Sequence, residues 1–461
     1  MAACWRRVGA KIGAVVITTL LVIPAAIAQE WWDFSRDGIP DVSIATSLPY
    51  NGDPTGTRKR LSERGVVYGL EYTNDLLSNV RGGLRTGTID QGKLHGILTV
   101  DFSKLAGWEG LSGFVNFFQI HNTGRIKRDY VGGINTIAAI EAAPTTRLSE
   151  VWLEQKFAND KASIRVGQLA ADAEFFYSEL STMFLQSDWA TIAAVNLPSG
   201  GAAYPLSTPG ARLKIQPVDN VTMLFAVLNG DPSGAGFSGN EQILNRYGLN
   251  FRVNDPPFFI GEAQFQRNVG KDDTGLATTL KIGAWGHVGL FNDQQFANDG
   301  LLLANPASSG QPLQHRGNYG VYGVIDQQLY RLPGGDSQSG ISVFTRASFS
   351  PSDRNQINTY VDGGIIFAGF IPNRPKDRFG AGVIHARFSD SVRAFDRETI
   401  VFTGELGPIR DYETNLELSY QAQIVPGWIV QPNLQFIWHP NGDAGRNAMV
   451  VGVRARPVGC R

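Results

Sequence analysis

The side chains in this sequence that could do chemistry are hydrogen-bonding groups and aromatic rings that recur at every second position. Glu150, Trp152, Glu154 and Lys156 follow this spacing, and residues 413–421 repeat it with Glu, Asn, Glu, Ser and Gln. Carboxylate, amide and ammonium groups can match the hydroxyl pattern of a sugar, and an aromatic ring can stack on the apolar face of a sugar. The spacing therefore predicts an extended surface that contacts polar solutes weakly, so that they can enter and leave.

Compact catalytic or cofactor motifs are weak by comparison. Residues 234–239 match G-x-G-x-x-G but do not open a helix, which a dinucleotide site requires, so a flexible outer loop is favoured. Gly87–Lys93 is close to a P-loop, but Leu94 stands where a Ser or Thr must hold Mg²⁺. The six histidines are scattered and no G-x-S-x-G elbow occurs. We therefore predict no catalytic residue, no metal and no cofactor, and the chain is not expected to be an enzyme.

Composition favours strands with tight turns over a helical protein. The 461 residues carry a net charge of −1, with 41 Lys and Arg against 42 Asp and Glu, so no nucleic-acid partner is expected. Charged residues make up 18%, below the about 25% of a typical soluble domain. Glycine is abundant, with 53 residues, and aromatics reach 10%, which suits a membrane barrel with aromatic girdles.

The first 28 residues indicate a secretory signal. A basic start is followed by an apolar stretch over residues 12–23 and by the small-x-small sequence Ala26-Ile27-Ala28. Cleavage is expected near Ala28-Gln29. Residues 29–64 lack strong alternation and are predicted to form an N-terminal periplasmic or plug segment, which leaves residues 65–461 for the main domain.

The alternating pattern itself indicates β-strands with one polar and one apolar face. Between Asp411 and Val425, Glu413 and Glu417 share one parity while Leu416 and Leu418 share the other. The apolar faces span nine to eleven residues, the length of a tilted strand that crosses a bilayer, and no later apolar run approaches the roughly 20 residues of a membrane helix. Because backbone groups in lipid must all be paired, the strands must close into a barrel.

The fold class predicted for residues 65–461 is therefore all-β: one transmembrane antiparallel barrel of about sixteen strands with long outer loops and short periplasmic turns. One further strand is predicted at residues 246–253, where Arg246, Asn250 and Arg252 oppose apolar neighbours. A tight turn is expected at Asn159-Asp160. Long loops are expected at residues 229–240, 298–317 and 390–408, which are rich in Gly, Pro, Ser and Asn.

Several blocks of the sequence resemble a known family, the carbohydrate-selective porins of the OprB type. The most specific block is Ser149–Gln155, which reads Ser-Glu-Val-Trp-Leu-Glu-Gln and leads to Arg165–Leu169. Blocks in the same order run from about Tyr68 to Arg454, and the others that carry the resemblance are Tyr72–Asn79, Lys104–Trp108, Glu174–Phe176, Leu197–Gly201, Leu228–Pro232, Lys281–Trp285, Gln431–Gln435 and Val451–Arg454.

The resemblance implies a bacterial outer-membrane channel of sixteen strands that passes mono- and small oligosaccharides without energy input. The charged positions inside the most specific blocks, Glu150, Glu154 and Arg165, are the first candidates for contacts with the sugar. Further candidates for the pore lining come from strand parity, from the matching blocks or from the Gly82-Gly83 turn: Arg81, Arg85, Trp152, Lys156, Trp285, Glu413, Glu417 and Arg454.

Three alternatives stay open from the residues: a general or ion-selective porin, a barrel lipase with a Ser–His pair, and a soluble secreted β protein. Expected partners are small sugars, outer-membrane lipid and the barrel-assembly machinery, and a homo-oligomer is possible although no self-complementary patch is readable. One departure from the family pattern lies at the end of the chain, where Pro457 is present and no terminal aromatic residue follows. This ending leaves the predicted fold in place but puts efficient insertion in doubt.

A closed barrel makes a first prediction about extraction. The protein should require detergent to leave the membrane, and unheated samples should run faster on SDS gels than boiled ones, because closed barrels stay folded until heated. Extraction by salt or alkali alone, with no heat-dependent shift in mobility, would favour the soluble alternative.

Overall fold

A computed structural model describes residues 38–39, 43–122, 124–186, 196–234, 240–270 and 272–459. The predicted signal peptide, its cleavage site at Ala28-Gln29 and residues 235–239 of the glycine motif lie outside these residues. The division into leader, N-terminal segment and barrel therefore stays a prediction.

The described chain forms sixteen antiparallel strands, each paired with its sequence neighbours, and the last strand pairs with the first to close a barrel. The strands are β1 Val66–Gly82, β2 Gly87–Asp101, β3 Leu111–His121, β4 Thr145–Phe157, β5 Ala162–Leu169, β6 Thr208–Val218, β7 Val221–Asn229, β8 Pro257–Arg267, β9 Thr278–Ala297, β10 Pro312–Tyr330, β11 Gly340–Phe349, β12 Ile357–Ala368, β13 Arg378–Phe388, β14 Tyr412–Val425, β15 Trp428–Trp438 and β16 Asn447–Gly459. The predicted all-β barrel is confirmed.

Long and short connections separate onto opposite rims of the barrel, as predicted. The long ones include residues 122–144, 170–207, 230–256 and 389–411. At the other rim, β4 and β5 are joined by a tight turn in which Asn159 and Asp160 have φ of +53° and +65°. Asparagine and aspartate tolerate this left-handed region better than most residues, which explains why the turn could be predicted.

Three short helices accompany the strands within the described residues. Helix α1, Thr57–Glu63, precedes β1, and helix α2, Phe102–Ala106, lies in the turn after β2. Helix α3, Asp390–Thr403, occupies a connection that was predicted as an irregular loop. The Ser389 hydroxyl caps α3 by accepting the N–H of Val392, and Gly404 ends it with φ of +71°. Among the described residues, no helix is long and apolar enough to cross a membrane.

The strand predicted at residues 246–253 is absent from the structure, so that prediction is wrong. This segment instead lies against the end of β4, where the N–H of Leu148 donates to the carbonyl of Tyr247 at 3.0 Å. Tyr247 and Leu249 are exposed, while Asn245 is buried. Residues of both parities are exposed within 246–253, so the alternation in this sequence marks neither a paired strand nor a covered face.

Alternation along the sixteen strands places polar side chains inside the barrel and apolar ones outside. On β14, Glu417 is fully buried while its neighbour Leu418 is 41% exposed. A bulge interrupts this rule on β4, where the pairing shifts between Val115 and Phe117 of β3. Because one extra residue is inserted, Arg147 and Glu150 both face the lumen despite opposite parity.

The seam that closes the barrel carries a buried ion pair. Asp75 of β1 stands directly opposite Arg454 of β16, and the two carboxylate oxygens accept bonds from Nε and Nη2 of the arginine at 2.7 and 2.8 Å. Both residues are buried. Pro457 pairs with Trp428, and the pairing of β16 with β1 continues to Gly459, so the proline does not end the seam.

The seam pair predicts a measurable loss of stability. Arg454→Met should lower the free energy of unfolding by about 3 kcal/mol, because it leaves the Asp75 carboxylate buried without its partner. The midpoint temperature of the mobility shift on SDS gels would report it. The Asp75→Asn/Arg454→Met double variant should recover most of the loss, and Arg81→Gln, at an exposed position on β1, serves as the control. If the Arg454→Met variant were as stable as the parent protein, the role of the pair would be contradicted.

Candidate functional site

The described residues of the long connection between β5 and β6, 170–186 and 196–207, fold into the lumen. The N–H of Phe176 donates to Glu262 of β8 at 2.8 Å, that of Glu179 to Asp326 of β10 at 3.0 Å, and that of Leu185 to Glu417 of β14 at 2.8 Å. These three acceptors lie on the inward faces of their strands. We call the described residues of this connection, 170–186 and 196–207, the first inward loop, and their contacts with the inner wall extend from β8 to β15.

A second inward loop, residues 124–144, covers the adjoining part of the wall. The N–H groups of Ile134 and Asn135 donate to the carboxylate of Glu413 at 2.7 and 2.9 Å. The two inward loops meet where the N–H of Ala139 donates to the carbonyl of Leu185 at 2.7 Å. Together they narrow the lumen from one side.

Carboxylates suit this anchoring because each can accept several N–H donors that a loop inside a barrel would otherwise leave unsatisfied. Glu413 also accepts the N–H of Asn441, and Glu417 also accepts that of Gln186. Both carboxylates are 0% exposed. The structure thus places Glu413 and Glu417 on the inward face, as their parity indicated, but beneath the loops and away from the open channel.

Four charged side chains form a closed ring at the base of the first inward loop. Glu154 of β4 contacts Arg165 of β5 at 2.8 Å and Arg212 of β6 at 3.1 Å. Glu174, from the loop, contacts the same two arginines at 3.4 and 2.9 Å. Burial alone would raise the pKa of the Glu174 carboxyl, but the two guanidinium groups outweigh it and hold this pKa below its usual value. The ring is neutral and joins the loop to three strands.

The other predicted residues on β4 support the same region. Glu150 accepts the N–H of Ala170, where the first inward loop begins, at 3.2 Å. Trp152 stacks on Phe114 with ring centroids 4.9 Å apart, and the guanidinium of Arg165 lies 3.7 Å from the Trp152 centroid. The predicted cluster is therefore brought together as a support for the loop, with its side chains almost fully buried.

The remaining predicted residues are spread over the barrel. Trp285 packs against Phe258 in the buried cluster that also contains Phe175 and Phe176 of the first inward loop. Lys156 is half-buried on β4, near the rim of the barrel that carries the short turns. Arg81 is exposed on β1, near the opposite rim. Arg85 stacks on Tyr130 at 4.5 Å and donates to the carbonyl of Asp129, so it holds the second inward loop. Arg454 forms the seam pair.

Six half-buried side chains face the space that the inward loops leave open, and contacts link them to one another. We call them the eyelet: Glu71, Lys93, His95, Tyr177, Tyr204 and Arg456. Glu71 lies 3.7 Å from Arg456 and interacts electrostatically with Lys93 and His95. The Lys93 ammonium is 4.8 Å from the centroid of the Tyr204 ring. Arg456, on β16, interacts electrostatically with Tyr177 of the first inward loop.

Sequence reasoning missed the eyelet as a group. The alternating polar face of β2 contained Lys93 and His95, so their inward orientation was predictable. Tyr177 and Tyr204 follow no strand pattern, since they lie on an irregular loop. Their position depends on the anchors beneath that loop.

Comparison with known proteins agrees with this architecture. The family described as "Carbohydrate-selective porin, OprB family" matches residues 86–456. The chain belongs to the OprB family. Porin B of Pseudomonas aeruginosa is 24% identical over 430 residues, which cover 88% of this OprB-family porin and 90% of the relative. The putative porin QuiX of Acinetobacter baylyi is 21% identical over 451 residues, which cover 94% and 95% of the two chains.

A solved structure shows the same fold. The high-pH structure of Pseudomonas putida OprB matches with a TM-score of 0.79 at 21% sequence identity, covering 88% of this chain and 97% of that one. The OprB-family porin is thus a carbohydrate porin of the bacterial outer membrane, and its family and fold are those of a channel.

The anchoring carboxylates predict a change in the channel current. Glu417→Gln should loosen the first inward loop, because an amide oxygen forms weaker bonds to the N–H groups of Leu185 and Gln186, at a cost of about 1–3 kcal/mol. Single-channel recordings should show larger open-channel noise than in the parent porin. Glu109→Gln, which removes an exposed carboxylate from a short turn, is the matched control. Equal noise in both variants would mean that Glu417 does not hold the loop.

Proposed function

We propose that mono- and small oligosaccharides diffuse passively through the eyelet of this OprB-family porin and that the eyelet supplies its contacts with the sugar. The observation that supports this is the composition of the eyelet: a carboxylate, three basic side chains and two tyrosine rings remain half-buried where the inward loops narrow the lumen. This is the combination that a sugar requires, since its edge is polar and its faces are apolar.

Passage would exchange hydration for short-lived contacts. Glu71 can accept hydrogen bonds from sugar hydroxyls, and Arg456 can donate to the hydroxyl oxygens. Tyr177 and Tyr204 offer ring faces from the first inward loop. Because each contact is weak and several follow one another, a sugar is retained only briefly before it moves on. No energy source is required.

Two alternatives are distinguished by measurement. A general or ion-selective porin would conduct without being blocked by sugars, and its ion selectivity would follow the charge of the eyelet. A barrel lipase would hydrolyse a phospholipid or ester substrate and would lose that activity when one serine is replaced. We propose that the chain has no catalytic activity, since its family and fold are those of a channel. Insertion by the barrel-assembly machinery and a homo-oligomeric state remain predictions.

The test is planar-bilayer conductance with glucose and maltose titrated against the purified porin. Both sugars should reduce the current in a saturable way. Tyr177→Ala should weaken the maltose block about fivefold, because loss of a ring contact costs ~1 kcal/mol, and Glu71→Gln should weaken it to a similar extent. Glu109→Gln is again the control.

Steady conductance without block by either sugar would contradict sugar selectivity and favour a general porin. Saturable block that is unchanged in both eyelet variants would place the contacts with the sugar elsewhere in the lumen.

A further inference from the structure

Several basic side chains on the lumen wall have no ion pair or hydrogen bond within the described part of the chain, and two of them lie beside Phe118. They are Lys93 of β2 and Arg147 of β4. Arg147 is only 2% exposed, and its Nε and Nη2 atoms are buried without a hydrogen-bond partner. A buried guanidinium that is left unpaired costs several kcal/mol, so its presence requires an explanation.

Other buried lumen arginines in the described residues are paired. Arg454 binds Asp75, Arg165 binds Glu154, and Arg346 binds Asp362 through Nε at 2.9 Å. Each of these arginines, which hold strands or loops together, is thus neutralised by a carboxylate on the wall. Arg147 departs from this rule, as does Lys93, and both lie on the same part of the wall.

Aromatic rings connect the two cations. Phe118 of β3 stands directly opposite Arg147 in the strand register. The Lys93 ammonium lies 5.0 Å from the centroid of Phe118 and 4.8 Å from that of Tyr204, and the two rings meet edge to face at 5.2 Å. The Tyr204 hydroxyl donates to the carbonyl of Ile140 at 2.9 Å, which fixes the ring. Arg147 interacts electrostatically with Tyr204.

Nearby carboxylates have other partners. Glu71 contacts Arg456, and Asp75 contacts Arg454. Closer to Tyr204, Asp172 accepts the tyrosine N–H at 2.8 Å. Glu141 accepts the N–H groups of Ile137 and Ala138. Among the described residues, none of these four carboxylates forms an ion pair with Lys93 or Arg147.

We propose that Lys93, Phe118, Arg147 and Tyr204 form a subsite for an anionic monosaccharide, a sugar that carries a carboxylate or a phosphate. The exposed tyrosine face would stack on the sugar ring, and the Lys93 ammonium would bind the anionic group. Arg147, behind the rings, adds positive potential without direct contact. This inference rests on the proposed function and narrows it, since neutral sugars gain only the aromatic contact while anionic sugars gain both.

The experiment measures how strongly glucuronate, glucose 6-phosphate and glucose each reduce the KCl current through the purified porin in planar bilayers. In the parent porin, at least one anionic sugar should block at about tenfold lower concentration than glucose, the effect of one charge-assisted hydrogen bond. Lys93→Gln should remove this difference, so that the anionic sugars and glucose block the variant at similar concentrations. Lys93→Arg should retain the difference. Lys104→Gln, which removes an exposed lysine in α2, is the matched control.

Arg147→Met tests the second cation separately. It should weaken the anionic block severalfold more than it weakens the glucose block, with folding checked by the mobility shift on SDS gels. Stronger block by glucuronate than by glucose 6-phosphate assigns the subsite to carboxylates, and the reverse order assigns it to sugar phosphates. Either order supports the subsite.

Equal block by anionic and neutral sugars in the parent porin would overturn the inference, as would a preference that survives Lys93→Gln. These results differ from failure of the proposed function. If no sugar blocked the current, sugar selectivity itself would fail, whereas block by glucose alone would sustain it and reject only the anionic subsite.

Discussion

Backbone N–H groups that enter the barrel must find acceptors there, and this constraint shapes the whole lumen. Strands satisfy their own backbone groups by closing on one another, but the inward loops have no ladder to join. Carboxylates on the wall supply the acceptors instead. Glu413 accepts three N–H groups, and Glu417 accepts two. Without these carboxylates the loops would leave buried donors unsatisfied, so the narrowing of the channel and the polarity of the wall arise together.

The position of the anchors also decides which wall remains available to solutes. The first inward loop is held from β8 to β15, where Gln431 donates to the carbonyl of Met183 at 2.7 Å. The strands around the seam are left to face it, and they contribute Glu71, Lys93 and Arg456 to the eyelet. A polar residue on the inner face therefore has one of two roles, to hold a loop or to border the channel. Its strand parity does not distinguish them.

Charged side chains fall into the same two groups, those that hold strands and loops together and those that border the channel. The ring of Glu154, Arg165, Arg212 and Glu174 and the seam pair of Asp75 and Arg454 are closed arrangements in which each charge meets its opposite. Their members are buried, and they hold strands and loops together. Beside Tyr204, in contrast, Lys93 and Arg147 lie next to aromatic rings, and Glu71 interacts with Lys93 electrostatically without forming a direct ion pair among the described residues.

The sequence by itself determined the barrel, its approximate strand number, the separation of long and short connections, and the inward orientation of residues such as Glu413 and Glu417. These features depend on period-two alternation and turn chemistry, which act over a few residues. Only the tertiary structure decided what covers each inward face. The bulge that turns both Arg147 and Glu150 inward, the unpaired segment at residues 246–253 and the path of the inward loops all depend on contacts between distant parts of the chain. Local patterning records which way a side chain points, but not what it meets.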